Sequence, residues 1–555
     1  MAEQAELRGL GVSPGVGAGL VCRLSPPPAL PVQPPGDIDI ATETSRAQAA
    51  LEEVAVELAA RASVAAGAAA DVLNAQALIA RDPALSESVE VHVLAGAGGA
   101  WAVDAALREQ QQVFLNLGGY LAERAADLDD IRARAVAVLL GLPMPGVPSP
   151  GRPFVLVADD LAPADTAQLD AATVRALVTE RGGPTSHTAI LAKALGIPAV
   201  VACRGAMALQ DGTAVSVDGA MGTVNVIAFD DVARVQDAAN ASRQAAAAVT
   251  GPGRTSDGHP VKLLLNIGSA RDLEGTLGDD GFEGVGLVRS EFLYLGRTEA
   301  PTAQEQEDAY GDVFAAARGA KVVLRTLDAG ADKPLPFLHL AEEENPALGL
   351  RGVRVARLRP DVLAEQLAAV ARAAKAADAD AWVMAPMVST VAEAAAFADQ
   401  VHGLGLPKAG VMVEVPAAAL QAERLLEVVD FLSIGTNDLS QYTMASDRMN
   451  GDLADLLDPW QPALLSLIAT CARAGTAAGK PVSICGESAS DPLLALVFVG
   501  MGVTSLSMSR SCVPAVRAAL LRSSLAECRE LAALALAESD PLNARDVVRQ
   551  RVSAG

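Results

Sequence analysis

The stretch RGGPTSHTAILAKALGIPAVV, Arg181 to Val201, sets one histidine, His187, between a glycine pair and a run of helix formers. Thr185 and Ser186 are N-cap candidates, helical residues begin around His187, and Gly196 with Pro198 ends them. His187 thus falls in a first helical turn. There the helix dipole disfavours the imidazolium, leaves a neutral ring nitrogen free to attack, and favours a dianionic phosphoryl group once attached. Gly182 and Gly183 let the backbone approach such a group. A lone histidine is more often structural, so the chemistry needs partners elsewhere. Arg289, Arg325, Arg351 and Arg448 offer guanidinium forks, which match phosphate and carboxylate oxygens two at a time. They point to a small, highly anionic ligand, although Arg351 and Arg354 could instead lie on an exposed helix face. Glu414 and Asp438 could supply hard oxygen ligands for Mg2+, which takes one or two protein carboxylates and completes its octahedron with water and substrate oxygens. The alternative is a carboxylate pair neutralised by those arginines. Cys485 is a thiol that, at an ordinary pKa of about 8.5, can donate a proton as well as attack. A buried structural cysteine fits its spacing equally well.

These residues need a scaffold that brings them together. From about Thr255 onward, apolar runs alternate with helical stretches: VKLLLNIG, GVGLVRSEF, KVVLRTLD, AWVMAPMV, GVMVEVP, DFLSIGTND, PVSICGES and SLSMSR. Strand–helix units in this number predict a (β/α)8 barrel over 255–555, with its chemistry at the carboxyl ends of the strands. Those ends carry Asn266, Arg289 with Glu291, Arg325 with Asp328, Glu414, Asn437 with Asp438, Cys485 with Glu487, and Ser507 with Ser509. Each follows an apolar run where an unpaired polar group is costly, so their convergence on one rim predicts a shared active site.

The first half reads differently. Two proline-rich strips, Leu24 to Asp37 and Gly141 to Pro153, bracket a segment with helical apolar spacing and almost no proline. This predicts a helical hairpin or four-helix insertion over 37–143. The β runs outside it predict one discontinuous β/α domain over 1–36 and 144–229. The segment 230–254 reads as a linker helix, rich in alanine and charge and poor in large apolar side chains.

Composition limits the alternatives. The chain of 555 residues suggests several domains, and aromatic residues at only 3% fit packed helices and buried parallel strands. No apolar run is long enough for a membrane span, and the N-terminus has no signal-peptide pattern, so a cytoplasmic protein with no membrane partner is expected. The cysteines are scattered without metal or disulfide spacing. A formal charge of −24 argues against a nucleic-acid partner and favours a basic protein partner, unless it serves solubility alone.

Together, RGGPTSHTAILAKALGIPAVV, DFLSIGTNDLSQYTMASDR, GFEGVGLVRSEFLYLGR, RTLDAGADKPLP, ENPALGLRGVR, GVMVEVPAAA and ICGESASD resemble the signatures of enzymes that use phosphoenolpyruvate (PEP). In order, length and helical insertion the chain is similar to the enzyme I family of the bacterial PEP:sugar phosphotransferase system. The resemblance implies a swivelling phosphohistidine domain, a docking insertion for a small phosphocarrier protein, and a PEP-binding barrel that makes a homodimer. It implies that His187 attacks through Nε2, that Arg289 and Arg325 hold the phosphoryl group, and that Asn437, Asp438, Arg448 and Arg351 bind substrate. Glu414 and Asp438 become Mg2+ ligands, and Cys485 the acid that completes pyruvate. The chain departs from the pattern at Gln76, where a histidine is expected among the docking helices, at Pro184, where a basic residue is expected, and at Val415, where a threonine is expected. A partial enzyme similar to a pyruvate phosphate dikinase or PEP synthase, which charge their histidine from ATP, and a non-catalytic PEP-binding regulator are the alternatives. No Walker-type loop supports the first, and the presence of His187, Cys485 and both carboxylates speaks against the second.

Overall fold

Runs of small and branched apolar residues become strands in both halves of the chain. The computed structural model describes all residues except 1–5, 25–27, 32–37, 65–67, 118–124, 143, 149, 162–168, 184–186, 277–280, 296, 298, 331–334, 342, 449 and 555. They form two compact units, Met1–Asp237 and Ala238–Gly555.

In the first unit, β1 (Glu6–Arg8), β2 (Leu10–Ser13), β3 (Val16–Arg23), β4 (Phe154–Ala158), β5 (Val174–Thr179), β6 (Ala199–Val201), β7 (Ala214–Asp218) and β8 (Thr223–Val226) make one mixed sheet. Its order is β1-β8-β7-β3-β4-β5-β6-β2. The run β3-β4-β5-β6 is parallel, and both flanks are antiparallel. Because alternate residues face opposite sides of a strand, β4 divides its side chains between two cores. Phe154, Leu156 and Ala158 enter one; Val155 and Val157 enter the other.

Between β3 and β4 the chain forms five described helices, more than the hairpin or four-helix insertion expected: α1 (Ile40–Val64), α2 (Ala68–Ala80), α3 (Pro83–Leu94), α4 (Gly99–Leu117) and α5 (Ala125–Leu139). The additional boundary comes from Asp82 and Pro83. The Asp82 carboxylate accepts from Ala84 N, and Pro83 takes the first helical position, where its missing N–H does no harm. The helices share a core of Leu51, Val54, Leu58, Val89, Val103, Leu107, Leu128 and Ile131. Further on, α6 (His187–Leu195) buries Ala189 and Ala192 against the sheet, and α7 (Asp231–Ala247) spans the division between the units. Gln236 alone is buried on α7, as its alanine-rich and charged sequence requires.

The second unit is the barrel. β9 (Lys262–Ile267), β10 (Val285–Arg289), β11 (Val322–Arg325), β12 (Ala381–Ala385), β13 (Lys408–Val413), β14 (Phe431–Ile434), β15 (Val482–Ile484) and β16 (Ser505–Met508) close in order, every pair parallel. Each of the eight runs read from the sequence is one of these strands. The outward faces pack on helices through Leu263, Val288, Val322, Val411 and Leu432, among others. The barrel interior is filled by Leu287, Val323, Met384, Met412, Phe431 and Cys485, so it is a packed core rather than a channel.

Candidate active site

Strand ends bring most of the expected residues onto one rim. Arg325 ends β11 and is buried; its Nη2 donates to Glu291 Oε1, while Nη1 lies 3.1 Å from Asp328 Oδ2 and 4.0 Å from Glu414 Oε1. Arg351 makes two bidentate pairs. Nε and Nη2 each reach Asp328 at 3.1 Å, and Nη1 and Nη2 reach Asp438 at 2.8 and 3.1 Å. With its side chain 2% exposed, the exposed-helix alternative for Arg351 is wrong. Burial of so long a side chain is tolerable only because two carboxylates satisfy its fork. Arg354, by contrast, turns to Ser389 Oγ and to the carbonyls of Leu348 and Gly349. Arg448 Nη1 completes the inner chain, 3.5 Å from Asp438 Oδ1.

A shallower group sits beside this chain. Arg289, at the end of β10, places Nη2 3.5 Å from Glu487 Oε1 and remains partly exposed. Asn437 Oδ1 accepts from the Glu487 N–H at 3.3 Å. Asn266 and Ser507 tie neighbouring strand ends together. Asn266 Nδ2 donates to the carbonyls of Cys485 and Ser507 at 3.1 and 3.3 Å, and Ser507 Oγ donates to Asn266 Oδ1 at 2.6 Å.

Glu414 follows β13 and is buried. Its Oε2 accepts from Met387 N at 2.8 Å, an N–H aimed by the left-handed backbone of Met387, φ 59°. Burial, then the Asp438 and Asp328 carboxylates, push the Glu414 carboxyl well above the usual carboxylate range against the pull of Arg325 and Arg351. Fully ionised, the buried carboxylates Glu291, Asp328, Glu414 and Asp438 would outnumber the buried arginines Arg325 and Arg351, which is why Glu414 holds its proton. A hard divalent cation such as Mg2+ would suit the pair Glu414 and Asp438, sharing Asp438 with Arg351 and Glu414 with the Met387 N–H. Among the described residues no cluster of three protein ligands is present, so substrate and water oxygens would complete the sphere. Gly435 makes this arrangement possible: a Cβ there would lie 2.7 Å from Glu414 Cγ and 2.8 Å from its Oε1.

Cys485 lies just beyond β15, 3% exposed, with Sγ 3.6 Å from the Ile434 carbonyl. Burial above all, with the Glu414 carboxylate adding to it, pushes the thiol up to about 11 against the lowering effect of Ser433, Arg325 and Arg289. Its pKa is therefore higher than the ordinary value assumed from sequence, and the protonated thiol prevails at neutral pH.

In the other unit, His187 is the first residue of α6, and Gly182 adopts φ 98°, open to glycine at little cost. The cap candidates Thr185 and Ser186, and Pro184, lie outside the described residues. Gln76 is fully buried and donates to Asp127 Oδ1 at 3.0 Å, so it is an interior residue of the helical insertion. Sequence reasoning missed Gln366, a buried amide behind the rim, and Met387; nothing in either local stretch signals it.

Residues 8–124 match the family of the N-terminal part of PEP-utilising enzymes, 151–222 their mobile domain, and 242–525 their PEP-binding domain. The chain is 50% identical over 557 residues to the phosphoenolpyruvate-protein phosphotransferase of Streptomyces coelicolor, covering 99% of this chain and 100% of that one. Proteins of the same name from Haloferax volcanii and Bacillus subtilis are 39% and 36% identical, over 95% and 92% of this chain and 96% and 93% of theirs. With three matching domain families and relatives aligned along nearly its whole length, the chain belongs to the phosphoenolpyruvate-protein phosphotransferase family of PEP-utilising enzymes.

Proposed function

We propose that the protein transfers the phosphoryl group of PEP to its own His187 and then to a histidine of a small phosphocarrier protein, the first step of sugar uptake by a phosphotransferase system. The observation that carries this reading is the convergence, on one barrel rim, of arginines, carboxylates and a buried protonated thiol. Arg289 and Arg325 hold the phosphoryl oxygens, and Asn437 and Arg448 orient the rest of the substrate. Arg351 acts through Asp328 and Asp438, both of which it grips bidentately. Glu414 and Asp438 would hold Mg2+, which when bound supplies charge neutralisation and a template for the phosphate oxygens.

The neutral Nε2 of His187 attacks phosphorus, the P–O bond to the enol breaks, and the electron pair leaves as enolate. Cys485 gives its proton to the methylene carbon, pyruvate forms, and solvent restores the thiol. Such transfers depend on position and neutralised charge more than on covalent help, which is what fixed guanidinium forks provide. His187 must serve both PEP and the carrier, so α7 and its ends act as the hinge of a swivelling domain. The helical insertion receives the carrier; Leu78, Val91 and Leu94 are apolar and exposed on α2 and α3, on a chain of net charge −24 that attracts a basic partner. The barrel carries the homodimer contact, and the cytoplasm is the site of action. No helix among the described residues is long and apolar enough to cross a membrane.

The test is incubation of the purified protein with PEP labelled on phosphorus and Mg2+, beside His187→Ala, followed by acid treatment. Acid-labile label on wild type alone supports the reading. Absence of label on wild type, or label retained by His187→Ala, overturns it.

A further inference from the structure

Behind the arginines, a glutamine joins two segments of the rim. Gln366, on the helix Pro360–Ala377, is fully buried and has a partner on each side of its amide. Oε1 accepts from Leu327 N at 2.9 Å, and Nε2 donates to Ser290 Oγ and to the Tyr310 hydroxyl, each at 3.0 Å. Ser290 stands between Arg289 and Glu291, and Leu327 directly precedes Asp328. One side chain thus links the segment after β10 to the segment after β11, beside the point where Glu291 meets Arg325.

That meeting point depends on both segments, because Arg325 is also held by Asp328 of the second, 3.1 Å from its Nη1. Glu291 grips Arg325 through Oε1, while Glu291 Oε2 and Arg325 Nε are buried with no hydrogen-bond partner. The direction of the Arg325 guanidinium is therefore set by where the two segments carry Glu291 and Asp328. An apolar side chain would fill a helix–barrel interface without the desolvation cost of a buried amide. An amide that ties the Leu327 backbone to the Ser290 hydroxyl links the two segments in a way packing alone cannot.

We propose that Gln366, with Ser290, is a positioning residue that aims Arg325 and its neighbour Arg289 at the phosphoryl group, an inference that rests on the reaction proposed above. Loss of this link leaves the forks present but mis-aimed. Binding in the ground state then changes little while the transition state loses its fit.

The experiment is single-turnover phosphorylation of His187 in the full chain with PEP and Mg2+, together with thermal unfolding, for Ser290→Ala, Ser290→Thr and Gln366→Leu. Ser290→Ala removes one bond and leaves those to Leu327 and Tyr310, so it tests the link even if Gln366→Leu fails to fold. The maximal rate should fall about tenfold in Ser290→Ala and about hundredfold in Gln366→Leu, with half-saturation by PEP moving less than about threefold. Ser290→Thr, which returns the hydroxyl, should recover the rate. A wild-type rate in Ser290→Ala or Gln366→Leu, or no recovery in Ser290→Thr, overturns the assignment. If wild type itself takes no label from PEP, the reaction is wrong rather than the positioning role alone.

Discussion

Replacing Arg351 by methionine tests whether the buried ion network holds the rim together. Arg351 makes four contacts of 2.8–3.1 Å to Asp328 and Asp438, whose side chains are 1% and 6% exposed. Removing one partner of a buried pair leaves an uncompensated charge and costs about 3–5 kcal/mol. Here each carboxylate keeps another cation, Asp328 with Arg325 at 3.1 Å and Asp438 with Arg448 at 3.5 Å. The lower end, about 3 kcal/mol, is therefore expected. Arg351→Lys keeps the charge but cannot grip two carboxylates at once and should recover only part of the loss. The assay is urea unfolding in EDTA, followed by fluorescence of Trp382 and Trp460 in a Trp101→Phe background, so that the signal comes from the barrel unit. The double variant with Asp438→Asn should lose less than the sum of the single losses, by about 1–3 kcal/mol. A loss under about 1 kcal/mol for Arg351→Met, or strict additivity with Asp438→Asn, refutes the reasoning.

Three further outcomes are expected. Gly435→Ala forces a Cβ to within 2.7 Å of Glu414 Cγ and 3.0 Å of Met412 Cε, so it should cost about 1–3 kcal/mol by urea unfolding and depress PEP turnover. Five of the six cysteines are buried and Cys22 alone is half-buried, so a thiol reagent should modify Cys22 first in the folded protein and all six in denaturant; rapid modification of Cys485 contradicts its placement. Lys321 Nζ lies 3.6 Å from the centre of the Trp382 ring, and burial first, then Lys262, against Asp380, push the ammonium down to about 8. The folded protein thus sheds this proton before the unfolded chain does. Its contribution to stability rises with pH from about 8 towards the ordinary lysine value, and Trp382 fluorescence should titrate near 8 in wild type but not in Lys321→Gln.

The barrel was legible because parallel strands buried on both faces read as unbroken apolar runs, each followed by a residue that packing alone does not want. Rim membership therefore followed from position in the chain. Pairing did not. The partners of Arg351 stand 23 and 87 residues away, and no local pattern says that a guanidinium in ENPALGLRGVR will be buried between them. The same distance in sequence hid the Gln366 link, whose partners lie 39 and 76 residues away. The insertion holds more helices than its sequence suggests because alanine-rich periodicity runs up to Arg81, and the boundary depends on the cap at Asp82 and Pro83. Gln76 stands where the family resemblance leads one to expect a histidine among the docking helices, and its amide is turned inward to Asp127.

The central claim is that PEP gives its phosphoryl group reversibly to His187 with pyruvate as the other product. The most direct measurement is exchange of isotopic label from pyruvate into PEP, with Mg2+ and no carrier protein. Exchange in wild type that is abolished in His187→Ala is the predicted result. Exchange that persists in His187→Ala, or is absent from wild type, contradicts the account.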